Sequence, residues 1–138
     1  MKLLAIPAAF AAAAQAASLA FLNDIPVDGN YTIGTDFVLE WKAYDATPSD
    51  TFQLSVSATN NTPSGYIPPY WPWQPGQYTY DSLEIVLDDA EKYVDGSYTW
   101  TIKPIDEKGL WKGQGFSYSF AARVPNSSDF PRSFHIVD

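Results

Sequence analysis

Asp36-Phe37-Val38-Leu39-Glu40-Trp41-Lys42-Ala43-Tyr44 sets Phe37, Leu39, Trp41 and Ala43 on one side of an extended chain and Glu40 and Lys42 on the other. A period of two with large apolar groups on one side is the pattern of a strand with one face in a core. Thr51 to Thr59 repeats it more cleanly, with Phe52, Leu54, Val56 and Ala58 directed inward and Gln53, Ser55, Ser57 and Thr59 outward. Far downstream, Gly96-Ser97-Tyr98-Thr99-Trp100-Thr101-Ile102 does the same. Trp41 and Trp100 belong in the core on this reading, facing each other across two sheets, because exposing them would forfeit the largest available burial.

Outward from these segments, Ser18 to Leu22, Ser82 to Leu87, Phe116 to Arg123 and Ser133 to Val137 supply further short strands. Turns containing Pro and Gly separate them, at Ile25 to Asn30, Ala46 to Asp50, Gly109 to Gly115 and Pro125 to Pro131. Asp88 to Tyr93 reads as a helical turn ahead of Asp95-Gly96. About seven strands without helical periodicity predict an all-β domain, an antiparallel β-sandwich of the immunoglobulin or fibronectin type. An eight-stranded barrel or jelly roll is the alternative.

Asn60 to Gln77 breaks the pattern, because Pro63, Pro68, Pro69, Pro72 and Pro75 oppose both helix and ladder pairing; the expectation is a rigid loop. Tyr66, Tyr70, Trp71, Trp73, Tyr78 and Tyr80 crowd into and beside it. Flat rings with polar edges suit stacking on sugar faces, and a stiff loop loses little entropy on binding. Tyr66, Tyr70, Trp71, Trp73 and Tyr78 are therefore the candidate ligand-binding residues. The competing expectation is that the rings fold back and cap one end of the domain, since large aromatic side chains are mostly buried.

Residues 1–16 read as a secretory signal peptide, with Lys2 as the positive end, an apolar stretch from Leu3 to Ala14 and a small-residue cleavage site at Ala14-Gln15-Ala16. The stretch is too short to span a bilayer. The remainder, residues 17–138, is one domain of about 122 residues. It contains no cysteine, so packing alone must hold it, and the chain's 5 Trp, 9 Tyr and 8 Phe supply the area. With Lys2 removed, seven basic against sixteen acidic residues leave a formal charge of −9. That surface repels phosphate backbones, which excludes nucleic acid as a partner class. Three sequons, at Asn30, Asn60 and Asn126, each fall where a turn is predicted and are the candidate glycosylation sites. The terminus Phe134-His135-Ile136-Val137-Asp138 lacks the spacer and apolar tail of a lipid-anchor signal, so no membrane anchor is expected.

Catalysis finds little support in these residues. Asp106-Glu107 and the group Asp88, Asp89, Glu91 lie in or beside predicted turns, where acidic residues are ordinarily solvated. His135 is the single histidine, on a strand whose neighbours Phe134 and Ile136 point to the other face, and no Gly-x-Ser-x-Gly elbow accompanies it. Zinc and copper lack ligands, and Asp88, Asp89, Glu91 and Asp95 do not match a known calcium loop. The sequence therefore predicts no catalytic residues, no metal and no cofactor.

The spacing Ile25-x-x-x-Gly29, Gly34 and Phe37-x-Leu39-x-Trp41, followed by Gly96-Ser97-Tyr98-Thr99-Trp100 and the closing Ser133-Phe134-His135-Ile136, resembles the N-terminal domain of fungal cell-wall synthesis proteins of the KRE/KNH type. That module also occurs in Ser/Thr-rich anchored wall proteins, and the resemblance spans about Asp24 to Ile136. It implies a secreted, glycosylated, non-catalytic immunoglobulin-like domain associated with wall β-glucan. The Ser/Thr-rich stalk and anchor signal of the family are missing, so the expectation is a freely secreted extracellular or cell-wall protein. The Tyr66 to Tyr80 segment is an insertion relative to the family pattern. The alternative is a secreted effector or elicitor that uses the same segment to bind a host protein.

Overall fold

The computed structural model describes residues 17–124, the backbone of 128–129, and residues 131–138. The predicted leader, the Asn126 sequon and part of the Pro125 to Pro131 turn lie outside them. The described residues form strands β1 (Ser18–Phe21), β2 (Asn30–Thr32), β3 (Asp36–Tyr44), β4 (Thr51–Asn60), β5 (Gly65–Ile67), β6 (Gln77–Thr79) and β7 (Ser82–Lys92). A single 3-10 turn, Tyr93–Asp95, follows, and then β8 (Ser97–Thr101), β9 (Phe116–Arg123), β10 (Ser128–Asp129) and β11 (His135–Val137). The protein is all-β, with several antiparallel sheets.

One sheet has the order β1-β3-β8 and another β10-β9-β4-β7; β11 pairs with β2 in parallel, and β5 pairs with β6. The core lies between the first two sheets. Phe37 of β3 stacks on Phe120 of β9 with ring centroids 5.3 Å apart, and Trp41 meets Phe52 of β4 edge-on at the same separation. Phe134 closes the cluster against Phe37, Phe120 and Tyr118. These rings, with Leu39, Leu54, Val56 and Ile136, provide the covalently unassisted packing that a cysteine-free domain requires.

Four expectations change. Trp41 and Trp100 are both buried, yet they sit on adjacent strands of one sheet, β3 and β8, so they do not oppose each other across the core. The five prolines do not prevent pairing: β5 and β6 form a hairpin, with Tyr66 opposite Tyr78, and the prolines occupy its flank and tip. This hairpin prolongs the β4-β7 ribbon, where Asn60 N–H donates to the Asp81 carbonyl and Ser64 N–H to that of Thr79. The helical turn anticipated over Asp88 to Tyr93 is strand as far as Lys92, and only Tyr93–Asp95 coils. Ser55 points outward as anticipated but is fully buried, because Glu84 and Arg123 join at 3.1 Å across β4 and the Ser55 hydroxyl lies beneath them, donating to Glu84.

β7 reaches its length through two irregularities in its pairing with β4, between Phe52 and Leu54 and between Leu54 and Ser55. A bulge adds a residue and re-aims the side chains beyond it. Here it puts Asp88 opposite Leu54 and Glu91 opposite Phe52, carrying two carboxyls to the core-facing side.

Candidate functional site

The hairpin β5-β6 is the most distinctive surface of the molecule. From Thr51 through Tyr80 the chain contains no Asp, Glu, Lys, Arg or His, so the hairpin bears rings, hydroxyls and amides only. Its rings do not cap the domain. Tyr70 is 83% exposed, Trp73 76%, Tyr78 62%, and Tyr66, Trp71 and Tyr80 about half. The packing expected for a cap is thus replaced by contacts among the rings themselves.

Trp71 and Trp73 lie parallel, with centroids 5.4 Å apart and planes 5° from coplanar, and Tyr70 meets Trp71 edge-on at 4.9 Å. Offset stacking and edge contacts are the favoured aromatic geometries, and they hold Trp71 from two sides. The Gln74 N–H donates to the Trp71 carbonyl at 3.0 Å, closing the turn that brings the two indoles together. Trp73 and Tyr70 keep their open surfaces toward solvent. Beside them, a cleft of about 320 Å³ runs between Pro69, Tyr70, Gln74 and Gln77. At the base, Tyr66 and Tyr78 pair across the strands at 5.1 Å. The five sequence-predicted ligand residues therefore lie on one hairpin, Tyr70, Trp71 and Trp73 in contact at its tip and Tyr66 with Tyr78 at its base. Sequence reasoning missed Gln74 and Gln77, the amides of the cleft; their place between aromatic residues and prolines was the available signal.

The acidic residues take structural positions. Both carboxylate oxygens of Asp106 accept backbone N–H groups, from Leu110 at 2.8 Å and Trp111 at 2.9 Å. Burial raises its pKa, but the backbone donors at Leu110, Trp111, Asp106 and Lys108 outweigh burial and hold it below the usual value. Glu91, 5% exposed, is pushed up to about 8 by burial first and then by hydrogen bonds to, and charge repulsion from, Asp88 and Asp95. Asp88 moves the opposite way, lowered by accepting from Glu91 and from the Ala90 N–H. Glu91 is therefore the protonated partner and Asp88 the ionised acceptor of their shared hydrogen bond. Among the described residues no three His, Cys, Asp or Glu side chains converge as a metal-holding group. His135 is buried with Phe134 and Ile136; its Nδ1 donates to the Phe116 carbonyl at 2.7 Å and its Nε2 faces Asp28 at 3.5 Å.

The two described sequon asparagines sit at strand ends. Asn30 opens β2, exposed, with its Oδ1 accepting from Gln114, and Asn60 closes β4, half-buried, with its Oδ1 accepting the Thr62 N–H. Among the described residues no helix is long and apolar enough to cross a membrane. No protein-family model matches the chain, and no curated protein matches its sequence.

Proposed function

We propose that this chain is a secreted, non-catalytic module of fibronectin-like or immunoglobulin-like sandwich type that contacts β-glucan of a fungal wall through the tip of the β5-β6 hairpin. Strand order supports the sandwich type. Three strands, β1-β3-β8, face four, β10-β9-β4-β7, and β7 stands beside β4 in the edge position that variable-type immunoglobulin sheets give to an added strand. Tyr118 supports it further. Near the start of β9, its hydroxyl donates to the Trp111 carbonyl seven residues upstream and accepts the Ile105 N–H, in the manner of a tyrosine corner. The KRE/KNH-type resemblance supports the wall association.

The observation that carries the ligand is the charge-free, solvent-facing tip. A phosphorylated or acidic ligand would need cations and a basic one carboxylates; a neutral hydroxyl-rich polymer needs ring faces and amides, which are what the hairpin offers. Retention of the purified protein on insoluble β-1,3- and β-1,6-glucan tests the reading. Trp73→Ala, which removes the most exposed indole, is expected to weaken retention about tenfold, ~1.4 kcal/mol. Absence of wild-type retention on either polymer removes the glucan reading, whereas retention unaffected by Trp73→Ala and Tyr70→Ala removes the hairpin from it.

A further inference from the structure

The cleft at the hairpin tip selects more narrowly than an exposed ring cluster would. Ile67 pairs with Gln77 and Tyr66 with Tyr78, so the two pairs point to opposite faces of the hairpin. The cleft lies on the Ile67-Gln77 face, with Tyr70, Gln74 and Pro75 in its walls, and every residue lining it is uncharged. Its volume of about 320 Å³ is at the small end for ligand sites and admits about one or two sugar residues, not a long run of polymer.

The rings beside it form a corner. Trp71 and Trp73 stack with planes 5° apart, and Tyr70 stands at 85° to Trp71, so it is nearly perpendicular to both indoles. A flat face of packed chains needs rings laid side by side in one plane, and these three cannot touch it together. A corner beside a polar cleft fits a single sugar ring entering from outside.

Two amides supply the polar groups. The other described glutamines are engaged, Gln53 with Asp89 and Gln114 with Asn30. The side-chain amides of Gln74 and Gln77 are exposed and, among the described residues, bond to no other group. An amide donates through its nitrogen and accepts through its oxygen, so it can hold the hydroxyls of adjacent carbons together. In an unbranched β-1,3-linked chain, oxygen 3 of each interior residue is spent on the linkage, and no adjacent carbons keep free hydroxyls. The residue at the non-reducing end keeps its whole row.

We infer that the hairpin recognises chain ends: the non-reducing terminal glucose of a β-glucan enters the cleft against Tyr70, with adjacent hydroxyls on the amides of Gln74 and Gln77. Trp73, next to Gln74 in the chain and mostly exposed, is left to hold the sugar that follows. End recognition rests on the glucan reading of this hairpin and narrows it from the polymer to its termini.

Periodate cleaves the bond between carbons that carry adjacent hydroxyls, so on short-chain, unbranched β-1,3-glucan it destroys terminal residues and spares the interior. The whole protein is mixed with this polymer untreated, reduced with borohydride, or oxidised with periodate and then reduced and washed. Retention is expected on the first two and is expected to be at least about tenfold weaker on the third. Soluble β-1,3-oligosaccharides from trisaccharide to hexasaccharide should bind with the same affinity within about twofold, because each offers a single such end. Gln77→Leu is expected to weaken trisaccharide binding about tenfold and to leave the near-ultraviolet circular dichroism of the ring cluster unchanged. If the variant disturbs that signal, the oxidised polymer, which needs no variant, decides. Retention that survives oxidation, affinity that climbs with each added residue, or wild-type binding by both Gln74→Leu and Gln77→Leu overturns end recognition and leaves the glucan reading standing. Failure of the untreated β-1,3-glucan to retain the protein also overturns it; if β-1,6-glucan fails as well, the glucan reading falls with it.

Discussion

The phenol of Tyr66 occupies the space in which a β-carbon on Gly76 would stand. The chain thus folds the ring of β5 over the backbone that leads into β6, and the ring leans on Tyr78 from there. Gly76→Ala is expected to push Tyr66 aside and break the Tyr66-Tyr78 pair, which is worth about 0.5–1.5 kcal/mol to the hairpin. The tip should then lose its fixed geometry. Near-ultraviolet circular dichroism should diminish and glucan retention fall, while the unfolding midpoint of the core, which does not include these residues, stays within about 0.5 kcal/mol of wild type.

Two buried tyrosines are expected to respond oppositely to loss of a hydroxyl. Tyr118 both donates and accepts, and burial pushes its pKa up to about 12. Tyr118→Phe leaves the Trp111 carbonyl and the Ile105 N–H short of a partner and should cost about 1–2 kcal/mol. The Tyr93 hydroxyl is buried without a protein partner, so Tyr93→Phe should be neutral or stabilising. Urea unfolding of the two variants side by side checks the contrast, and equal losses would contradict it.

The tryptophans give a parallel case. Trp41 Nε1 donates to the Tyr93 carbonyl at 2.9 Å, whereas Trp100 Nε1 is buried with no protein acceptor. Both replacements by Phe remove similar volume. Trp41→Phe should nonetheless be the costlier by about 1 kcal/mol, because it alone sacrifices a bond. Calorimetric unfolding of the pair measures the difference.

Stability should decline on the alkaline side. Glu91 is raised from 4.5 to about 8 in the folded protein, so between those values the native state holds a proton that the unfolded chain releases. Stability from this group is complete below about 4.5 and is lost as pH rises through 8, with a slope of at most about 1.4 kcal/mol per pH unit. Asp88 acts in reverse. Its lowered pKa contributes stability above the ordinary value of 3.8, which is lost as pH falls through the folded pKa. The two together set a maximum near pH 4–5, and Glu91→Gln should flatten the alkaline limb. Urea midpoints at pH 5 and pH 9 for wild type and variant read this directly; an unchanged alkaline limb counts against the proton held by Glu91.

The strands whose side chains alternate were legible because one-sided burial writes itself into the sequence: Phe37, Leu39 and Trp41, or Phe52, Leu54, Val56 and Ala58, are inward in both readings. The extension of β7 was not. Its bulges turn Asp88 and Glu91 inward, and polar residues facing a core erase the period that marks a strand. The hairpin was hidden by its prolines, which bar ladder donors only at their own positions and leave Gly65 to Ile67 free to pair. The partners of Trp41 and Trp100 depended on which strands neighbour each other, a property of topology that spacing along the chain does not contain. The ring cluster itself was visible by composition, but its exposure was not, since the same residues would serve to seal a core.

The β5-β6 hairpin rests on its own ring pairs and on the end of one ribbon, and none of its residues joins the interior cluster. Under the proposed function, recognition and foldability are thereby uncoupled in this chain. Substitutions at the tip are free to alter what is gripped without endangering the domain, and the segment from Ser64 to Tyr80 is a candidate for transplantation onto the corresponding strand ends of another scaffold.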